Sequence, residues 1–245
     1  MAKAALVRRE SERRAYEAMK IVFDIDGVLC DVWTIVGELV QEDCPKFSWE
    51  LVKNYTLSGL SEQEKALVLY YFEEPKLFAT PLDMYDREAT TLDNWEQAQV
   101  KPLVVSGEEP VRCSLSDWVL FFKQLREAGV DVCLHSVVHD DACAEQRRMW
   151  FDFCIAPFVS DVELKLDIGA KTTLVGDIVV DDCLENIKNA QAKYKILPLM
   201  FHNMYNEHNK KIYAGDAERD FVMTATAQGI QYEILHILSR EGIGV

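Results

Sequence analysis

Apolar residues along this chain fall in short unbroken runs that alternate with longer stretches where they recur every three or four positions. The runs read as buried strands and the spaced stretches as helices lying against them. The first run, Ile21-Val22-Phe23, leads into Asp24-Ile25-Asp26-Gly27-Val28-Leu29-Cys30-Asp31. Two carboxylates one residue apart thus close a strand, and Gly27 lets the backbone turn away. Residues 130–135 form a second buried strand that ends at Ser136, and 158–168 hold a short strand candidate. Residues 175–180 are another apolar strand, terminating in Asp181-Asp182. Residues 195–201 form a last core strand, where Pro198 argues for the sheet edge.

The helical stretches fall between these runs. Val32, Ile35, Val36, Leu39 and Val40 make an apolar stripe, and Ser61 with Glu64 opens a helix reaching Tyr71 in capping-box fashion. A helix starts at Ser116 as N-cap and stops at Gly129. In 140–153, Gln146, Arg147 and Arg148 occupy one side, with Met149, Trp150 and Phe153 for the core. Helices follow at 184–193 and 218–240. Strands alternating with helices imply an α/β fold: a three-layer, Rossmann-like parallel sheet covered on both faces.

This pattern divides the chain into an N-terminal helical extension (1–19), an α/β core (20–31 and 80–215), a helical cap after the first strand (32–79) and a C-terminal helix on the core (216–245). The cap aromatics Trp33, Trp49, Tyr55, Tyr70, Tyr71, Phe72 and Phe78 read first as its own core, with a few able to stack on a flat ligand. In 82–112 only a short strand at 101–105 and a turn at Gly107-Glu108-Glu109-Pro110 stand out. Acids interleaved with arginines in the first twenty residues argue against a transit peptide; the segment reads first as a solvated helix or frayed tail, with a contact for another subunit as the alternative.

Composition narrows the partners. Of 245 residues, 49% are hydrophobic and 27% charged, as expected of a soluble, cytoplasmic globular protein, and no apolar run reaches membrane-span length. A formal net charge of −15 argues against a surface built to follow a nucleic-acid polymer, yet a small phosphate remains compatible if a local cation meets it. Cys30, Cys44, Cys113, Cys133, Cys143, Cys154 and Cys183 are scattered and lack a C-x-x-C pair, so they read as reduced thiols. His135 and His139 do not share a helical face, which removes the obvious zinc pair.

Three strand ends now carry Asp24 with Asp26, Ser136, and Asp181 with Asp182, and Lys171 lies just upstream of the last. A calcium loop counted from Asp24 fails, because Leu29 and Ile35 stand where glycine and glutamate are required. Singly, these residues have plain explanations: the acids as helix caps, Lys171 as a surface lysine, Ser136 as a turn residue. Their order along the chain argues for more, since neighbouring parallel strands would bring them to one edge. Four carboxylates there repel one another unless a divalent cation intervenes, and an oxygen-only set favours Mg²⁺.

Asp24-Ile25-Asp26-Gly27-Val28, the strand ending at Ser136, Lys171 and Asp181-Asp182 resemble the four-part pattern of the haloacid dehalogenase-like phosphohydrolases. The block from Lys171 to Asp182 is similar to that of the 5'(3')-deoxyribonucleotidases, as are Glu74-Pro75-Lys76-Leu77-Phe78 and Tyr205-Asn206 at their positions. The resemblance implies a Mg²⁺-dependent phosphatase acting on nucleoside monophosphates. Asp24 is the implied nucleophile and Asp26 the implied acid and base, with Gly27, His135, Ser136 and Lys171 around the phosphate. Mg²⁺ would be held by Asp24, the Asp26 backbone carbonyl and an acid of Asp181-Asp182, with Asp182 favoured. The family's usual Thr-Ser pair is here His135-Ser136, and 82–112 is an addition. A phosphatase for another metabolite and a silent binding subunit of the same fold are the alternatives; base, sugar and homo-oligomer formation stay open.

Overall fold

Consecutive apolar residues in an extended chain point alternately to its two sides, so a strand made only of them needs cover on both faces. The computed structural model describes residues 18–29, 32–52, 57–73, 115–198, 220–224 and 227–245. The expected N-terminal helix and the segment 82–112 lie outside these residues, as do Glu74-Pro75-Lys76-Leu77-Phe78 (beyond residue 73) and Tyr205-Asn206.

Six strands form one all-parallel sheet: β1 (Lys20–Phe23), β2 (Asp131–Val138), β3 (Val162–Ile168), β4 (Ile178–Val180), β5 (Tyr194–Pro198) and β6 (Val222–Thr224). Their order is β3-β2-β1-β4-β5-β6, so the chain leaves β1 toward one side and returns at β4 on the other. Phe23 is in register with Leu134 on β2 and with Val180 on β4. The crevice at the carboxyl ends of β1 and β4 is therefore the topological switch point, where α/β sheets bind ligands.

The helices are α1 (Val32–Asp43), α2 (Glu62–Glu73), α3 (Leu115–Glu127), α4 (Asp141–Cys154), α5 (Leu184–Asn189) and α6 (Ala227–Arg240). Ile21, Phe23, Val132, Leu134, Ile178 and Val180 pack with Trp118 and Phe122 of α3, Trp150 of α4 and Ile230 and Ile234 of α6. Val22, Cys133, Val179 and Leu197 face the other way, against Leu184 and Ile187 of α5. Each fully buried large side chain contributes about 1.5–3 kcal/mol, so alternation along the central strands ties both outer layers to the sheet. Buried Ile25, Val28 and Leu29 share the first cluster with Val36, Val40, Leu60 and Val68, which joins α1 and α2 to the core.

Local signals account for several boundaries. Ser61 Oγ accepts from Glu64 N at 3.3 Å, while Ser61 N donates to Glu64 Oε2 at 2.7 Å, so the capping box opens α2. Gly129, at φ +76°, ends α3, and Asp140 Oδ1 accepts from Cys143 N at 2.9 Å to start α4. In the cap, Trp49 lies edge-on to Phe47, and its Nε1 is 2.3 Å from where a Cβ on Gly37 would be.

Two expectations change. The C-terminal stretch does not run as one helix from 218: Val222–Thr224 forms β6, and α6 begins at Ala227. That extra strand pairs with β5 in parallel, so the strand holding Pro198 is internal. Pro198 is its last residue, where losing one N–H costs the ladder little. The described residues include no disulfide; Cys133, Cys154 and Cys183 are buried thiols, each pushed up to about 12 chiefly by burial. No described helix is long and apolar enough to cross a membrane.

Candidate active site

β1 stops at Phe23, and Asp24 N donates to Val180 O at 2.8 Å, which fixes the first acid beside the end of β4. The chain then folds back, with Leu29 N donating to Ile25 O at 2.9 Å and Gly27 at φ +74°. Asp24 Oδ1 accepts from Ile25 N at 2.8 Å, leaving Oδ2 toward the crevice, where Lys171 Nζ stands 2.9 Å away.

Lys171 Nζ also donates to Asp181 Oδ2 at 2.7 Å, so one buried ammonium bridges the acids that close β1 and β4. Asp181 is fully buried and heavily bonded: Oδ1 accepts from Cys183 N at 2.8 Å and from Asn186 Nδ2 at 3.0 Å. Asn186 also reaches Oδ2, at 3.1 Å. Asp182 is buried beside them, its carboxylate over the Gly27 turn.

A second group adjoins this one through Asp26. Asp26 Oδ2 accepts from Ser136 Oγ and from Arg147 Nη2, both at 3.0 Å, and Arg147 Nη1 donates to Ser136 Oγ at 3.0 Å. The third group lies on the opposite side of β2. His135 Nε2 is 2.6 Å from Asp167 Oδ2, which also accepts from Thr172 N at 2.7 Å and Thr172 Oγ1 at 2.8 Å. His135 is thus turned to the carboxylate that anchors the residue after Lys171.

Burial dominates the electrostatics. It pushes the Asp24 carboxyl up to about 8, against the pull of Lys171 and with help from Asp181 and Asp26. Asp182 is raised well above the ordinary range, first by burial and then by the charges of Asp24 and Asp181. Burial alone would lower the Lys171 ammonium, but Asp24 and Asp181 outweigh it and hold it above its usual value. Asp167 moves the other way: burial would raise it, yet hydrogen bonds from Thr172 and His135 bring it down to about 2. His135 is lowered by burial, with Asp167 opposing.

These acids fit a divalent cation. Asp24, Asp181 and Asp182 each offer a carboxylate oxygen, all within 4.8 Å of one another. The donors are all oxygen, which suits Mg²⁺. Four buried or near-buried acids, Asp24, Asp26, Asp181 and Asp182, face two cations, Lys171 and Arg147, so a dication would balance the charge. Both Asp181 oxygens accept hydrogen bonds and Asp24 Oδ2 faces Lys171, so a cation here would share these oxygens with the ammonium.

Asp24, Gly27, Lys171, Asp181 and Asp182 are brought together, and Asp26, bonded to Ser136 and Arg147, adjoins them. His135 belongs to the Asp167 group instead. Sequence reasoning missed Asp167, Asn186 and above all Arg147, which it put on the polar side of α4. The buried residues of that helix are Ala144, Arg147, Trp150, Phe151 and Cys154, whereas Met149 and Phe153 are 48% and 41% exposed. Helical spacing from Ala144 through Arg147 to Phe151 and Cys154 was the signal that could have found it.

No family model and no curated protein matches the sequence. Among solved structures, a protein of Burkholderia xenovorans LB400 described as haloacid dehalogenase-like is similar over 91% of this chain and 99% of that chain. The pair share 12% identity and a TM-score of 0.44, a distance at which the likeness says nothing about chemistry.

Proposed function

We propose that this chain is a Mg²⁺-dependent phosphomonoester hydrolase, with nucleoside monophosphates as its substrates. The observation that carries the reading is the Lys171 ammonium set between Asp24 and Asp181 at the switch point, at 2.9 and 2.7 Å. A nucleophilic carboxylate must meet a phosphate that repels it, and a buried cation beside that carboxylate lowers the repulsion where charge gathers.

Asp24 attacks phosphorus, forming an O–P bond as the ester P–O bond breaks, and Asp26 gives a proton to the departing oxygen. Water then attacks the aspartyl phosphate and yields a proton to Asp26; the bond to Asp24 breaks and orthophosphate leaves. Lys171 holds the non-bridging oxygens through both steps. Asp24, the Asp26 carbonyl and Asp182 would hold Mg²⁺, which would supply charge neutralisation between carboxylate and phosphate. His135 acts through Asp167 on the Lys171 loop. The nucleotide as substrate rests on the resemblance of the Lys171 to Asp182 block, and a small molecule rather than a polymer suits the net charge of −15.

The test is phosphate release from a panel of nucleoside monophosphates and sugar phosphates, with Mg²⁺ or with chelator, for the parent and Asp24→Asn. Release that needs Mg²⁺ and vanishes in Asp24→Asn is expected. Equal rates in parent and variant overturn the mechanism, and nucleotides ranking among the poorest substrates overturn the nucleotide assignment alone.

A further inference from the structure

We infer that Arg147 is a positioning residue for Asp26, holding one oxygen of that carboxylate so that the other handles the proton of the leaving group. The inference rests on the phosphatase reading above. Arg147 is only 3% exposed and lies in the middle of the inward stripe of α4, next to fully buried Trp150. A buried guanidinium is expensive to desolvate, and a well-packed apolar residue often gives equal or better stability there. Its two terminal nitrogens are spent on Asp26 and on Ser136.

The three side chains close a triangle with 3.0 Å sides. Both donors that reach Asp26 end on Oδ2, which fixes the rotation of the carboxylate. Oδ1 is buried and has no hydrogen-bond partner among the described residues. Ser136 Oγ accepts from Arg147, and its single hydrogen goes to Asp26 Oδ2, or to Val137 O at 3.3 Å. In this arrangement Ser136 serves Asp26 rather than the phosphate, which separates the site into a charge-holding half around Lys171 and a proton-handling half around Arg147.

The consequence is read in leaving groups. A phenolate leaves with more help from a proton than a p-nitrophenolate does, so disorienting Asp26 hurts phenyl phosphate more than p-nitrophenyl phosphate. The experiment measures kcat/KM for both esters, with inorganic phosphate inhibition, in the parent, Arg147→Met and Arg147→Lys. The expected result is that Arg147→Met loses about tenfold or more on phenyl phosphate beyond its loss on p-nitrophenyl phosphate. Arg147→Lys recovers part of that difference, and inhibition by inorganic phosphate stays unchanged.

Equal losses on both esters with weaker phosphate inhibition overturn the inference and make Arg147 a phosphate ligand. Unchanged kinetics also overturn it. If Arg147→Met fails to fold by circular dichroism, Arg147→Lys and Ser136→Ala carry the same comparison, since each loosens the hold on Oδ2. A parent that releases phosphate from neither ester overturns the phosphatase reading, and this inference with it.

Discussion

The carboxylate of Asp182 occupies the space that a side chain on Gly27 would need: a Cβ there would lie 2.0 Å from Asp182 Oδ2 and 2.6 Å from its Cγ. Gly27 is also at φ +74°, where an L-residue costs about 1–2 kcal/mol. Gly27→Ala is therefore expected to lower the unfolding free energy by at least that amount and to displace Asp182, weakening Mg²⁺ binding. Urea unfolding and a Mg²⁺ titration by calorimetry check the two effects; a variant with parental stability and affinity would show that the turn has room.

Lys171 and Asp24 are unequal partners in stability. Removing the ammonium leaves Asp24 and Asp181 buried without their cation, and Lys171→Met is expected to cost about 3–5 kcal/mol near neutral pH. Asp24→Asn, which takes away a carboxyl already burdened by burial, should cost far less. Denaturant melts of both variants in chelator decide this, and the prediction fails if Lys171→Met is the more stable.

The raised Asp24 carboxyl makes stability depend on pH. Its value in the folded protein is about 8 against an ordinary 3.8, so its contribution is fully present below the unfolded value. That contribution is lost as pH rises through the folded one. Without metal, stability is expected to fall between about pH 4 and pH 8 by up to about 1.4 kcal/mol per pH unit. Mg²⁺, by favouring the ionised carboxylate, should flatten this slope, and Asp24→Asn should lessen it, leaving the part of the same sign that comes from the raised Asp182. Urea midpoints measured across that range with chelator or with Mg²⁺ are the check.

His135 and Asp167 should behave as one unit. If His135 acts by fixing Asp167 under Thr172, His135→Ala and Asp167→Ala lower phosphate release in the same way. The double variant is then no worse than the poorer single one, a coupling of about 1 kcal/mol or more. Additive losses would instead give His135 its own contact with substrate.

Much of this arrangement is legible along the chain because local rules apply to it. Apolar runs at 21–23, 132–134 and 178–180 mark central strands, since residues buried on both faces leave no polar alternation. Acids directly after such runs, at Asp24 and Asp181, mark the ligand-binding edge. The three-residue β6 was not legible: its neighbours are helical in pattern, and a strand that short is defined by pairing with Ile196 to Pro198. Arg147 escaped for a different reason. A charged residue on a helix is assigned to solvent by default, and only its partners on β2 and after β1 make burial tolerable.

The order of residues by itself determined that this is a parallel α/β chain with acids closing two strands and a lysine ahead of the second of them, because side-chain periodicity and turn chemistry act within a few residues; the strand expected to end at Ser136 runs on to Val138. Only the tertiary structure decided which groups meet. It set Lys171 between Asp24 and Asp181, turned His135 to Asp167, and drew Arg147 inward to hold Asp26. Such pairings join positions up to 157 apart in the chain, as between the Lys20 N–H and Asp177. They follow from strand order and from the cost of leaving a buried charge without a partner, neither of which is written in any local stretch.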